Sequence, residues 1–245
     1  AAVMFSSEGV SAISPSTGPE AASAVPKGVA PKEHRFQPYD FNGGTTLAIC
    51  GDDFAVIAVD TRLAEDYHIL SRDISRSVVL TDECVLATGG CHTDVSTLHK
   101  VIDMRVKDYK HDHEMDIPTH SVAQLLGNTL YYRRFFPYYA FNVLAGLDGE
   151  GKGAVFTYDA VGSFERVKYA CQGSGQKIII PYLDNIVGFR SRMDTTTEPL
   201  TPERAVNIAK DSFIAAAERQ IYVGDSIVIY TITAGTGVKE ARFDI

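Results

Sequence analysis

Two adjacent glycines that lead straight into a pair of apolar runs constrain this chain more than any other stretch. Asn42-Gly43-Gly44-Thr45-Thr46-Leu47-Ala48-Ile49 is followed, after Gly51-Asp52-Asp53, by Phe54-Ala55-Val56-Ile57-Ala58-Val59, which ends in Asp60-Thr61-Arg62. Glycine reaches backbone angles closed to other residues, so the pair supplies a turn that side chains would forbid. The apolar runs on either side of Gly51-Asp52-Asp53 read as a buried hairpin.

Short apolar runs at 67–70, 77–80 and 84–87, the last ending at Gly89-Gly90, predict further strands joined by short turns. That succession is an antiparallel sheet rather than a βαβ layout. Two helices come next. Val95, Leu98, Val101, Ile102 and Val106 recur at helical spacing, with Lys100, Asp103, Arg105 and Lys107 facing away. A charged loop over 110–116 ends this helix. Pro118 opens the second, whose stripe is Val122, Leu125, Leu126, Thr129 and Leu130, and Pro137 stops it.

Strands over 139–147 and 153–158 then flank the Asp148-Gly149-Glu150-Gly151 turn, and a turn over 159–162 leads to a strand over 163–170. Helices are predicted near 175–185 and over 201–222, the latter opened by Thr201-Pro202-Glu203. Strands at 226–233 and 238–243 close the chain. Strands, two helices, strands, two helices, strands: this order suits an α+β fold of two stacked antiparallel sheets with helices on both outer faces.

The chain's 245 residues, 45% hydrophobic and 22% charged, are ordinary for a globular protein with ample core. A net charge of −8 argues against a nucleic-acid binder, which needs a basic face. No apolar run approaches the ~18 residues that suggest a membrane span. Cys50, Cys84, Cys91 and Cys171 are scattered without C-x-x-C spacing, so they read as reduced core thiols of a cytoplasmic or nuclear protein.

Residues 1–33 are rich in Ala, Ser, Gly and Pro and lack the basic and apolar regions of a signal peptide. They read as a flexible leader before a single domain over 34–245. His34-Arg35-Phe36-Gln37-Pro38-Tyr39-Asp40-Phe41 carries three aromatics and reads as a tail that packs on its own domain or on a neighbour.

Two constellations invite chemistry and fail on geometry. Cys91 and His92 are adjacent at a helix start and point in different directions, which does not suit a thiol–imidazole pair. His111-Asp112-His113-Glu114 reads as a solvated charge run rather than a metal site. No catalytic, cofactor-binding or metal-ligating residue is assigned.

The stretch from Asn42 to Arg62 resembles the N-terminal-nucleophile hydrolases, and within them the β-type subunits of the proteasome. Thr46-Leu47-Ala48 falls on that family's Thr-Leu-Ala and Asp60-Thr61-Arg62 on its Asp-Ser-Arg. The resemblance runs from about Arg35 to Ile245. It is most specific at 41–45, at Arg133-Arg134-Phe135-Phe136-Pro137-Tyr138-Tyr139, and at 146–148 with 151–155, where it is closest to a non-catalytic subunit type. It implies a four-layer αββα sandwich.

In active relatives a Gly-Thr bond opens the first strand, and the threonine freed by its cleavage is the nucleophile. That position falls here on Gly44, which has no hydroxyl. Asp60 matches the family's aspartate, Arg76 stands at its lysine, and Gly173-Ser174-Gly175 matches its glycine-flanked serine. Gln220 and Val223 replace an acid and a hydroxyl in the late Arg-Asp-x-x-Ser-Gly pattern. Arginine keeps the lysine's charge, but it effectively never deprotonates, so it is a poor pKa-tuning substitute.

The resemblance therefore implies a structural subunit of the 20S core particle. Its partners would be neighbouring β subunits in a heptameric ring, α-ring subunits and the opposing β ring. Sibling threonine-protease subunits would degrade unfolded polypeptides in the chamber, in the ubiquitin-dependent pathway of the cytoplasm and nucleus. No cofactor, nucleic acid or membrane is implied. The alternative is an autonomous hydrolase using a shifted Thr45 or Thr46, which would leave the register of Asp60 and Arg76. In the resembling assemblies an adjacent β subunit walls each substrate pocket. Asp159 in the Asp159-Ala160-Val161-Gly162 turn is a candidate for such a wall, or simply a residue that such turns require.

Overall fold

The computed structural model describes residues 36–190, 193 and 199–245. The proposed leader over 1–33 lies outside them, as do His34 and Arg35. A compact body runs from Gln37 to Ile245. Its first strands are β1, Thr45–Cys50, and β2, Phe54–Asp60, which pair antiparallel with Thr46 opposite Val59.

β3, Leu63–Glu65, and β4, His68–Ser71, form a small hairpin of their own. β5, Ser77–Thr81, and β6, Cys84–Gly90, lead into α1, His92–His113, and α2, Thr119–Tyr132. β7, Ala140–Leu147, β8, Gly153–Tyr158, β9, Phe164–Val167, and β10, Tyr169–Gly173, precede α3, Gln176–Ile186, and α4, Pro202–Ala217. β11, Ser226–Thr233, and β12, Gly237–Asp244, end the chain.

The strands form two five-stranded sheets, ordered β10-β1-β2-β11-β12 and β5-β6-β7-β8-β9. Strand alternation divides their side chains among three cores. Leu47 and Ile49 of β1 and Phe54, Val56 and Ala58 of β2 face α3 and α4, where they meet Ile179, Leu183, Ala209 and Phe213. Cys84 and Leu86 of β6 and Leu144 of β7 face α1 and α2, against Leu98, Ile102, Leu126 and Leu130.

The intervening residues Ala48, Ala55, Ile57, Val85, Ala87, Val143 and Ala145 meet between the sheets. Burial on both faces is why β1 and β2 read as unbroken apolar runs. The four-layer αββα sandwich is thus the observed architecture.

Four boundaries depart from the sequence expectation. β3 was not expected; it forms because Leu63–Glu65 find a partner in β4. α1 extends through His113 into the expected loop, because basic Lys110, His111 and His113 suit the negative end of the helix dipole. Glu114, with φ 54°, then stops it.

The expected strand over 163–170 is two strands in opposite sheets. Val167 pairs with Val155 and Tyr169 with Ile49, while the Lys168 carbonyl between them accepts from the Cys50 N–H at 2.8 Å. α4 stops at Ala217, and the segment after it peels away to carry Gln220 to the Ser174 carbonyl and Tyr222 against Gly43.

The two sheets approach closely where β8 begins. A Cβ on Gly153 would overlap the carbonyl oxygen of Phe54 and lie 2.7 Å from that of Gly51. Gly153→Ala is expected to cost about 2 kcal/mol or more, the scale of core overpacking. A urea midpoint unchanged from wild type would contradict this packing.

Candidate functional site

Five segments converge on Gly44. Antiparallel pairing brings Asp60, the last residue of β2, beside the first residue of β1, and the Thr45 N–H donates to Asp60 Oδ1 at 2.9 Å. Gly173 at the end of β10 lies opposite Thr45 and delivers Ser174 and Gly175. Arg76 stands immediately before β5, Gly89 and Gly90 end β6, and the 218–225 loop joins α4 to β11.

The approach to β1 is held at every carbonyl. The Asn42 oxygen accepts from Arg76 Nη2 at 2.7 Å, Gly43 from the Gly90 N–H at 2.9 Å, and Gly44 from the Ser174 N–H at 3.2 Å. The Asn42 side chain accepts from the His92 N–H at 2.9 Å, meeting one of the unpaired amides at the start of α1. Gly43 and Gly44 have φ of 74° and 89°, conformations that L residues avoid. The glycine pair is therefore a left-handed stretch clamped between the two sheets.

Arg76 is completely buried. Besides Asn42, its Nη2 donates to the Arg62 carbonyl at 2.7 Å, and its Nε lies 3.9 Å from Asp60 Oδ1. A Cβ on Gly44 would lie 2.7 Å from Arg76 Nη1 and 2.9 Å from its Cζ. The guanidinium thus occupies the space into which a side chain at position 44 would project.

Burial pushes the Asp60 carboxyl up to about 7, against the pull of Arg76 and the Thr45 N–H. Burial likewise lowers Arg76, opposed by Asp60. Asp60 Oδ2 and Arg76 Nε are buried without hydrogen-bond partners among the described residues.

The other matched positions also arrive here. Ser174 Oγ lies 3.1 Å from Thr45 Oγ1, which also accepts from the Gly175 N–H at 2.9 Å. Gln220 Nε2 donates to the Ser174 carbonyl at 3.0 Å, and Val223 packs in the core under α4. Thr45 and Thr46 are fully buried, and Thr46 lies between Val59 and Gln172 of the flanking strands. Neither hydroxyl is presented to a substrate, which disfavours the shifted-nucleophile alternative.

Sequence reasoning missed Arg62. Its Nε pairs with Asp225 Oδ2 at 2.7 Å, and its Nη1 donates to the carbonyls of Ile221 and Val223. Arg62 and Arg72 hold the Asp225 carboxyl below the usual range. The Asp60-Thr61-Arg62 triplet was the available signal, but its acidic partner is distant in sequence.

The remaining candidates lie apart from this chemistry. Cys91 is buried and its N–H donates to the Tyr139 carbonyl, while His92 Nε2 lies 3.5 Å from Ser96 Oγ. His111 and His113 sit in the last turn of α1 rather than in a loop. Asp159 Oδ1 accepts from the N–H groups of Val161 and Ser163 at 3.0 and 2.8 Å, so it serves its own turn. In the tail, Tyr39 stacks on Phe136 and Tyr139 while Phe36 is exposed.

Comparison with known proteins converges on one family. A family model described as proteasome subunit matches residues 40–232. Proteasome subunit beta type-1 of Danio rerio is 48% identical over 210 residues, covering 86% of this chain and 88% of the relative. The protein of that name in Arabidopsis thaliana is 50% identical over 220 residues, covering 87% and 98%. In Oryza sativa it is 51% identical over 212 residues, covering 84% and 95%.

The buried carboxyl makes a pH prediction. Asp60 resists ionisation in the fold, so its contribution is fullest below pH 3.8 and is lost as pH rises towards about 7. Buried His99, lowered to about 4, has the opposite slope in much of the same window, so the difference between two proteins is the useful quantity. Relative to wild type, Asp60→Asn should gain stability between pH 4 and 7.5, by at most on the order of 4 kcal/mol. Unfolding midpoints of both proteins across that range test it; a constant difference would refute the assignment.

Proposed function

The chain belongs to the proteasome subunit family, and we propose that it is a β subunit of the 20S core particle that builds the chamber wall without cutting substrate itself. The observation that carries the non-catalytic reading is the filling of position 44. A threonine protease of this family needs a side-chain hydroxyl there, a free amino group beside it and a cation that can share protons. Gly44 offers no hydroxyl, Thr45 N is an amide committed to Asp60, and Arg76 fills the vacant volume with a charge that does not titrate at working pH.

One part of the machinery persists. The Gly43 carbonyl is held by the Gly90 N–H, as an oxyanion donor would hold it, yet no nucleophile faces its carbon. The bond between Gly43 and Gly44 is therefore not cleaved by this chain. Gln220 in place of an acid and Val223 in place of a hydroxyl support the same reading.

As a β subunit the chain takes its place in a heptameric β ring, between an α ring and the opposing β ring. Unfolded polypeptides are cut there by its siblings, in cytoplasm and nucleus. No observation favours an autonomous hydrolase, since both candidate threonines are buried within β1.

The purified chain should hydrolyse no peptide, and Gly44→Thr should create no activity. The new side chain meets Arg76 and a left-handed backbone, so the variant should instead lose stability by about 1–3 kcal/mol. Gly44→Thr with Arg76→Lys should recover part of that loss and still be inactive, because groups that act as a unit fail together. Turnover blocked by a threonine-directed inhibitor, or a chain expressed alone that begins cleanly at Gly44, would overturn the reading.

A further inference from the structure

At the far end of β1 from Gly44, a cavity of about 550 Å³ opens beside Cys50. Small-molecule sites occupy roughly 300–1,000 Å³. Arg166 and Lys168 reach its wall from the corner between β9 and β10, and Phe189 from the turn after α3. Pro199 and Leu200, on the approach to α4, face them across the opening. The wall is apolar on one side and cationic on the other.

The charges that act on the Cys50 thiol are positive. Burial pushes the thiol up, while Arg166 and Lys168 both pull it down. Arg166 is committed, since its Nη2 donates to Asp148 Oδ2 at 2.8 Å and to the Gly153 carbonyl at 3.1 Å. Lys152, also on the rim, is paired with Glu150 at 2.6 Å. Lys168 is exposed and forms no ion pair with a described residue. Asp52 shares the rim but is exposed, so water screens it. The last carbonyls of α3 are also occupied: Leu183 accepts from the N–H groups of Val187 and Gly188 at 2.8 and 3.0 Å.

The backbone at Phe189 supplies an independent sign. Its φ is 52°, in the left-handed region that bulky residues avoid. The Arg190 N–H reaches back to the Asp184 carbonyl at 2.8 Å, a helix ending whose left-handed residue is ordinarily glycine. Strain of this kind gathers at ligand clamps, where the side chain repays it. Phe189 brings an aromatic ring to the cavity from just such a position.

We propose that this cavity binds a small organic anion with a flat aromatic body, its charge meeting the Lys168 ammonium and its body lying against Phe189 and Leu200. A neutral ligand would leave the ammonium unused. A compact inorganic anion would leave the apolar wall in water. An apolar wall with a few placed polar groups suits the class between them.

Anilinonaphthalene sulfonate, a monoanion of that build, is titrated into the full purified chain and followed by its fluorescence. Alkylation by iodoacetamide locates the bound probe. Cys84, Cys91 and Cys171 are buried, so Cys50 is the thiol expected to react first, and the probe should slow its reaction in proportion to occupancy. Lys168→Glu and Phe189→Gly should each raise the probe's Kd about tenfold, and a neutral sulfonamide analogue should bind the wild-type chain about tenfold less well. Lys100→Glu, on the exposed face of α1, should change nothing.

Should Phe189→Gly fail to fold, Lys168→Glu and the neutral analogue still decide the matter, because Lys168 is exposed and its backbone carbonyl is untouched. No binding, binding that leaves Cys50 alkylation at its free rate, an unchanged Kd in Lys168→Glu, or equal affinity for the neutral analogue would each overturn the proposal.

Discussion

A single buried guanidinium closes this molecule. Removing a charge from water costs several kcal/mol unless hydrogen bonds and an opposite charge replace the lost hydration. For Arg76 the replacements come from two segments: the carbonyl of Asn42 before β1, and the carboxyl of Asp60 and carbonyl of Arg62 at the end of β2. Arg76 itself stands immediately before β5 of the opposite sheet, and its carbonyl accepts from the Thr88 N–H of β6 at 2.9 Å. One side chain therefore ties the entry and exit of the first hairpin to the edge of the second sheet. These segments cannot separate without stranding a charge.

That closure sets the residue at position 44. With the guanidinium in place there is no room for a Cβ, and the backbone at φ 89° would resist one independently. The same crowding extends to the backbone around it. A Cβ on Gly89 would lie 2.7 Å from the Gly44 oxygen, and one on Gly173 would overlap that oxygen. A catalytic threonine needs open volume on one side for substrate. Here an arginine side chain and closely packed glycine backbone take up the space beside Gly44.

Much of this was legible in the sequence. Apolar spacing located α1, α2 and the two halves of the sandwich, because side chains shared among three cores leave strong periodic traces. The positions that converge on Gly44, namely Asp60, Arg76, Ser174 and Gln220, could be named from spacing and resemblance. What filled the site could not. That Arg76 would reach the carbonyl of Asn42 rather than pair closely with Asp60 depends on the meeting of two sheets.

The Arg62–Asp225 pair joins segments far apart in the chain, and its two residues carry no local pattern. The corner at Lys168 was equally hidden. A strand that switches sheets keeps an extended backbone and the same residue preferences, so no glycine or proline announces the change.

The atoms left without partners show why the site resists piecemeal change. Among the described residues, the buried Thr46 Oγ1, Asp60 Oδ2, Arg76 Nε and His92 Nδ1 lack hydrogen bonds. They belong to elements that meet around the Gly44 approach. A wholly apolar cluster of the same volume would avoid their desolvation cost.

No single replacement reaches that state. Removing Asp60 takes the acceptor from the Thr45 N–H and the counter-charge from Arg76. Removing Arg76 leaves the Asn42 carbonyl short of its strongest donor and opens a void beside Gly44. Each residue is costly to keep and more costly to remove alone, since an unpaired buried partner costs more than a satisfied pair returns. Such mutual dependence holds the Asp60–Arg76 pair and the glycine backbone around Gly44 in place as one unit.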